Sequence, residues 1–451
     1  MRTLLENAAG RAIEYLEHLD QRPVGPRVED IQNLQLFNEP IPPGATNPLE
    51  TIALLDRVGS RGTMAIAGRR FFGFVIGGSL PVTIAAHWLA TAWDQNSGLY
   101  RISPATAHLE QVALGWLKEI LRLPAQCAGG FVTGATVANF TALAAARHAV
   151  LKREGWNVEA DGLFGAPPIT VVIGDEAHPT LIKSLGLLGL GRTRVIRVPV
   201  DGQGRMRATD LPKVQAPAII CVQAGNVNTG CIDPLDQICD RAASHHAWVH
   251  VDGAFGLWAA ASPLLAGRVR GIERADSWAT DAHKWLNVPY DCGLAFVRDP
   301  DALRAAMAIT AEYLPTETEY RNPSDYTPEL SRRARGVEVW AALRTLGRSG
   351  VANMIERTCA HARRFADGLA AASFDVLNDV TLNQVLVSFG DAAITNRVIE
   401  AIQNDGTCWC GGTVWQGRTA MRISVSSWAT TEDDVERSVK AMVKAARECG
   451  A

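Results

Sequence analysis

The chain has no long run of basic residues, no paired-cysteine framework, no internal repeat and no low-complexity segment. Its first twenty residues, MRTLLENAAGRAIEYLEHLD, mix charges into a helical period and lack the apolar core of a signal peptide or membrane anchor, so a cytoplasmic location is expected. A formal net charge of -3 without a basic patch leaves no electrostatic footprint for nucleic acid or an anionic membrane, and neither partner is expected. Nine scattered cysteines, an odd number, fit reduced thiols better than disulfides. The closest pair, Cys408 and Cys410, sits in CWC without CxxC spacing or a His/Cys cluster, so no metal is expected. Walker and GxGxxG sequences are also absent.

What is present is an ordinary globular composition, 47% hydrophobic and 20% charged over 451 residues, enough for a large core and two or three domains. Three stretches are expected. Residues 1–100 begin with an amphipathic helix and continue through the proline-rich RPVGP and PIPPG, which suit neither a regular helix nor a central strand and read as an arm. Residues 101–345 hold short apolar runs alternating with helical segments. ITVVIGD, TRVIRVPV, AIICVQAG, WVHVDGAF, SWATDAHK and GLAFVRD read as strands buried on both faces of a mostly parallel sheet, which gives an α/β large domain. Residues 346–451, following the helical VEVWAALRTLG, read as a small C-terminal α+β domain with strands at VLVSFG and AMRISVSS.

Ligands of open α/β sheets sit beyond the carboxyl ends of the strands, so the residues ending these runs are the candidates for chemistry. Lys284 in TDAHKW follows an apolar stretch, where a lysine can keep a free amine for Schiff-base formation; the ordinary alternative is an ion-pair member. Asp252 ends the buried run WVHVD and needs a cation, a helix to cap or a metal to hold. His178, in the loop of DEAHPT, suits stacking on a heteroaromatic ring or simple capping. The TGAT loop, with Thr133, Gly134, Ala135 and Thr136 before an alanine-rich helix, suits a phosphate cradle or a plain helix start. Of six tyrosines, Tyr313, Tyr320 and Tyr326 crowd into EYLPTETEYRNPSDYTPELSRR, which reads as a lid carrying a proton donor or as a packing loop. A Schiff-base lysine and a carboxylate able to hold a ring nitrogen protonated are the two anchors of a pyridoxal phosphate site.

With HVDGAFG, DEAHPTLIKSLGLLGLG, TGATVANFTALAAAR and SRRARGVEVWAALRTLG, the motif TDAHKW resembles the group II pyridoxal phosphate-dependent amino acid decarboxylases, from RPVGP to RISVSSWATTEDDV. The resemblance implies the type I, aspartate aminotransferase-like fold of pyridoxal phosphate enzymes, an amino acid substrate, and a homodimer with sites at the interface. It implies that Lys284 bonds the cofactor, Asp252 pairs with its ring nitrogen and His178 stacks on the ring. Gly134, Ala135 and Thr136 would hold phosphate, His283 would help hold phosphate or substrate, and Ala254 would pack under the ring. Tyr326 matches the mobile-loop proton donor, with Tyr320 as the alternative, and Arg422 matches an arginine that meets a substrate carboxylate in some relatives. The arm and RRFFGFVIGG would cover the neighbouring subunit and lend aromatic side chains to its pocket.

Two departures stand out: many relatives have two glycines where this chain has Gly134 and Ala135, and a threonine near the cofactor hydroxyl where it has Val227, beside Asn226 and Asn228. The expected reaction is decarboxylation of an L-amino acid. Other fates of the same cofactor chemistry (aldehyde synthesis, transamination, carbon-carbon lysis) and a non-catalytic cofactor-binding homologue remain as alternatives.

Overall fold

The computed structural model describes residues 1–309 and 320–451; Tyr313 lies outside the described residues. The chain forms two compact units, one of Met1–Gly78 with Arg363–Leu377 and Val385–Ala451, the other of Ser79–Ala362 with Asn378–Gln384.

The larger unit is built on seven strands: β1 (Ala128–Val132), β2 (Thr170–Gly174), β3 (Ile196–Val198), β4 (Ala218–Gln223), β5 (Trp248–Asp252), β6 (Ser277–Asp281) and β7 (Gly293–Val297), in the order β1-β7-β6-β5-β4-β2-β3. Every residue of β5, β6 and β7 is buried, which happens only when both faces of a sheet are covered. That is why these runs lack the alternation of a half-exposed strand. β3, β2, β4, β5 and β6 run parallel, as expected. β7 is antiparallel to both β6 and β1. A parallel return requires a crossover, most often a helix, and residues 282–292 between β6 and β7 contain none. Because β1 opposes β7 and β7 opposes β6, β1 shares the direction of β6. The carboxyl ends of β1, β2, β4, β5 and β6 therefore meet at one edge, together with the amino end of β7.

The helix Ala135–Arg153 packs on this sheet through small side chains: Ala142, Ala144, Ala145 and Ala146 are buried in a cluster with Val171, Ile173, Ile219 and Trp248. Alanine combines strong helix propensity with close approach to the strands. The helical run after SRRARG extends over Gly336–Ala371 and breaks at Gly347, whose φ of 60° is a left-handed conformation suited to glycine.

In the smaller unit β8 (Asp375–Val376), β9 (Gln384–Ser388), β10 (Gly411–Trp415) and β11 (Arg418–Ser424) are ordered β10-β11-β9-β8. β10 and β11 are joined by Gln416 and Gly417, both at positive φ, as a tight hairpin turn requires. The last helix, Glu432–Glu448, starts with a full capping box between Thr431 and Asp434. The first helix, Arg2–His18, belongs to this unit. Phe71 and Phe72 of FFGF are core residues here, and Phe71 and the exposed Phe74 both stack on Trp409.

Residues 320–335 are tied to the helix Pro104–Ile120 by a buried ion cluster, and Arg332 and Arg321 donate as well to the β1 carbonyl oxygens of Phe131 and Gly129. Glu110, fully buried, meets Arg332 at 2.7 Å and Arg321 at 3.1 Å, and Arg332 also donates to the carbonyl oxygen of Ser97 at 3.0 Å. Removing one partner of such a cluster strands the others' charge away from water. Glu110→Gln is expected to lower the unfolding free energy by about 3 kcal/mol in chemical denaturation; an unchanged midpoint and slope would remove this cluster from the account of how that segment is held.

Candidate active site

Lys284 stands on a turn fixed from several sides. The backbone N-H of Ala282 donates to the carbonyl oxygen of Cys292, Trp285 is buried with its indole N-H on Thr358, and Asn287, at φ 58°, donates its side-chain amide to the Trp285 carbonyl. The indole of Trp258 holds the Asp281 carbonyl at 3.0 Å. From this platform Lys284 Nζ reaches Asp281 Oδ2 at 2.9 Å, with the Asp281 side chain 2% exposed and that of Lys284 20%. Of the two sequence readings of Lys284, a Schiff-base amine and an ion-pair member, the structure shows the ion pair with Asp281, at the sheet edge where the other candidate residues gather.

Asp252 ends β5 at the same edge, 4% exposed. Asn139 donates to its Oδ2 at 3.2 Å and the Ala254 backbone N-H to its Oδ1 at 3.3 Å. Burial pushes its pKa above the usual carboxylate range, and His178, Lys284 and the Asn139 hydrogen bond pull it back. His178 caps the helix Pro179–Leu187: its Nδ1 accepts from the Thr180 N-H at 3.3 Å and lies 2.7 Å from the Thr180 hydroxyl. Of the two readings of His178, its contacts here are those of a cap, and its charge also acts on Asp252.

His283 accepts the Cys292 N-H on Nδ1 at 3.1 Å, lies 3.7 Å from Asp281 through Nε2 and stacks on Tyr290. Burial is the main reason its pKa falls below the ordinary histidine value. Gly134 precedes the helix Ala135–Arg153 and provides no side-chain cap, so the first N-H groups of that helix have no local side-chain acceptor. Against them stands Asp281, whose Oδ1 is buried without a hydrogen bond among the described residues. The space is set by Gly293: a Cβ there would lie 2.5 Å from Gly134 Cα.

The group fits pyridoxal phosphate. An amine able to form a Schiff base, a buried carboxylate whose hydrogen-bond donors among the described residues, Asn139 and the Ala254 backbone, are neutral, and a helix start without a side-chain cap share one sheet edge, the chemistry a protonated ring and an anionic group would need. Lys284, Asp252, His178, His283, Ala254 and residues 134–136 all lie there. The ring of Tyr326 lies 4.2 Å from the Arg321 guanidinium and packs against the buried cluster of helix and strand residues that includes Leu303. Tyr320 stacks on Tyr100. Arg422 is on β11 of the smaller unit, opposite Gly411, with burial lowering its pKa. Asn226 is spent on its own loop, accepting from the Asn228 and Thr229 N-H groups and donating to Glu176.

Sequence reasoning missed Asp281, Asn139, His250 and Gly293. A signal existed for the first three: an acid three residues before the lysine, an asparagine inside an alanine-rich helix and a histidine inside an apolar strand are each costly unless paired.

Gly293→Val is expected to push residues 134–136 away from β7 and weaken pyridoxal phosphate retention at least about tenfold, the equivalent of about 1.4 kcal/mol, with the protein still folded. Equilibrium dialysis of the cofactor checks this; retention equal to that of the parent would show that the contact does not shape the site.

The model of the pyridoxal-dependent decarboxylase conserved domain matches residues 65–390. Tryptophan decarboxylase 1 of Oryza sativa is 29% identical over 98% of this chain and 93% of its own length, and the aromatic-L-amino-acid decarboxylase of Bacillus atrophaeus 26% identical over 98% and 94%. The crystal structure of the Oryza sativa enzyme TDC with pyridoxal phosphate and tryptamine superposes with a TM-score of 0.92 at 24% identity, covering 99% of this chain and 97% of that one, so the fold is that of the type I pyridoxal phosphate enzymes. With a family match spanning most of its length, the chain belongs to the pyridoxal-dependent decarboxylases.

Proposed function

We propose that the protein decarboxylates an L-amino acid, releasing carbon dioxide and the corresponding amine. The observation that carries this reading is the shared sheet edge at which the Lys284 amine and the buried Asp252 carboxylate meet the uncapped start of the helix Ala135–Arg153.

When bound, pyridoxal phosphate supplies an aldehyde that condenses with amines and a protonated ring that accepts the electron pair left as a bond to the substrate carbon breaks. Lys284 provides the protein amine, and Asp281 at 2.9 Å fixes its position and takes up its charge. Asp252 presents a carboxylate to the ring nitrogen and keeps the proton there. The backbone N-H groups at residues 134–136, with the Thr136 hydroxyl, receive the phosphate, and His283 borders that cradle through its approach to Asp281. His178 is assigned to the ring face and Ala254 to the space beneath it. For protonation of the substrate carbon we retain Tyr326, with Tyr320 as the other described tyrosine of that segment. Arg422 is retained as partner for a substrate carboxylate.

We also read the protein as a cytoplasmic homodimer with its sites at the interface. All nine cysteines are free thiols, in keeping with a reducing compartment. No described helix is long and apolar enough to cross a membrane. Trp88, Leu89 and Trp93 leave an exposed apolar face on the helix Pro81–Trp93, as a subunit contact would need.

The test is a panel of aromatic, acidic and basic L-amino acids, with carbon dioxide, amine, aldehyde and keto acid measured together. Carbon dioxide and amine in equal amounts are expected, with both lost in Lys284→Ala. Aldehyde or keto acid as the main product would assign another reaction, and a protein whose visible cofactor band is absent, or unaffected by Lys284→Ala, would be a non-catalytic homologue.

A further inference from the structure

Behind Asp252 four buried side chains form an unbroken series. The Trp248 indole N-H donates to Ser277 Oγ at 2.8 Å, Ser277 Oγ lies 2.9 Å from His250 Nδ1, His250 Nε2 lies 2.8 Å from Asn139 Oδ1, and Asn139 Nδ2 donates to Asp252 Oδ2 at 3.2 Å. Ser277, His250 and Asn139 are fully buried and Trp248 nearly so. They come from β5, β6 and the helix Ala135–Arg153, three elements brought together only by the fold.

With Asp252 ionised, the direction of the series is fixed. An indole nitrogen only donates and an ionised carboxylate only accepts, so each link between them has one consistent arrangement. Ser277 accepts from Trp248 and passes its own hydrogen to His250 Nδ1. His250 then carries its proton on Nε2 and gives it to the Asn139 carbonyl, which turns the Asn139 N-H toward Asp252. Burial pushes the His250 pKa down to about 3, so the ring stays neutral and keeps this single tautomer.

We propose that Trp248, Ser277, His250 and Asn139 form a positioning wire that holds Asp252 ionised and oriented, and through Asp252 keeps the ring nitrogen of bound pyridoxal phosphate protonated. This rests on the reading that Asp252 faces that nitrogen. The wire is needed because the surroundings of Asp252 pull in opposite directions. Its own burial and the Asp281 carboxylate favour the protonated acid, while His178, Lys284 and Asn139 favour the anion. The Cys221 thiol on neighbouring β4 is kept neutral by burial and supplies no countercharge. Lys284 lends a full charge only while it is a free ammonium, and the wire is independent of that state. Hydrogen bonds in series within a low-dielectric interior polarise one another, so His250 strengthens the donor that Asn139 presents. A purely structural role would not demand this series, since apolar side chains would fill the same interior without polar groups to satisfy.

The experiment uses full-length protein loaded with pyridoxal phosphate carrying 15N in its ring, in the parent, Asn139→Leu, His250→Phe and His250→Gln. The ring-nitrogen chemical shift is followed across the neutral pH range, and cofactor affinity is measured by dialysis. The parent is expected to keep a pyridinium shift throughout. Asn139→Leu should move the shift toward neutral pyridine and weaken binding about tenfold, the loss of one hydrogen bond to a charged group. His250→Phe should shift it in the same direction by less, and His250→Gln, which keeps an N-H donor, should restore part of the parent behaviour. Should Asn139→Leu not fold, Ser277→Ala, which frees the His250 tautomer one link further away, is expected to give a smaller shift of the same sign. Parent-like shifts in all folded variants would overturn the wire while leaving the Asp252 assignment intact. A parent protein that holds the cofactor with an unprotonated ring would overturn both.

Discussion

A carboxylate kept out of water at the end of a central strand is the constraint around which this structure is arranged. Asp252 is buried and its two oxygens are met by neutral N-H groups, one from Asn139 and one from the backbone of Ala254. Taking a carboxylate out of water costs several kcal/mol unless its lone pairs and charge are met. The helix Ala135–Arg153 meets part of that demand and serves a second purpose. Its first N-H groups open on the sheet edge, and one turn further in it places Asn139 on Asp252. One element thus presents a positive dipole end to an anion and a neutral donor to the carboxylate, and its alanine face lets it lie close enough to the strands to do both.

The second organising feature is the connection from β6 to β7. Spending residues 282–292 on the turn that carries Lys284 leaves no crossover helix, and β7 must come back antiparallel. That reversal brings the amino end of β7 to the active edge, where Gly293 lets the Gly134 backbone approach. Asp281 closes the arrangement, with Oδ2 on Lys284 and Oδ1 buried, 3.5 Å from where a Cβ on Gly134 would lie. The antiparallel strand, the lysine turn and the close approach of Gly293 to Gly134 are consequences of one short connection.

Much of this was legible in the sequence because it depends on local pattern. Strands buried on both faces read as unbroken apolar runs, and polar residues ending those runs, Asp252 and Lys284, mark the edge where chemistry collects. The direction of β7 was hidden because an apolar run has no polarity of its own. Asn139 and His250 each carry a signal, a polar side chain in apolar surroundings, but the partner that gives it meaning lies more than a hundred residues away, Asn139 for His250 and Asp252 for Asn139, and is found only when the helix is laid on the sheet. The association of residues 1–78 with the C-terminal segments is likewise long-range and leaves no local trace. The crowding of Tyr313, Tyr320 and Tyr326 in one segment records composition and not the direction of a side chain, and Tyr326 was set apart from the others by the family resemblance; its ring is held by Arg321 and the core.

The central claim is that Lys284, and no other lysine, bonds the cofactor. Borohydride reduction of the loaded protein, followed by proteolysis and mass mapping, tests it most directly. A pyridoxyl group on the peptide containing Lys284 alone is the result this account predicts; the label on another lysine, or on none, would contradict it.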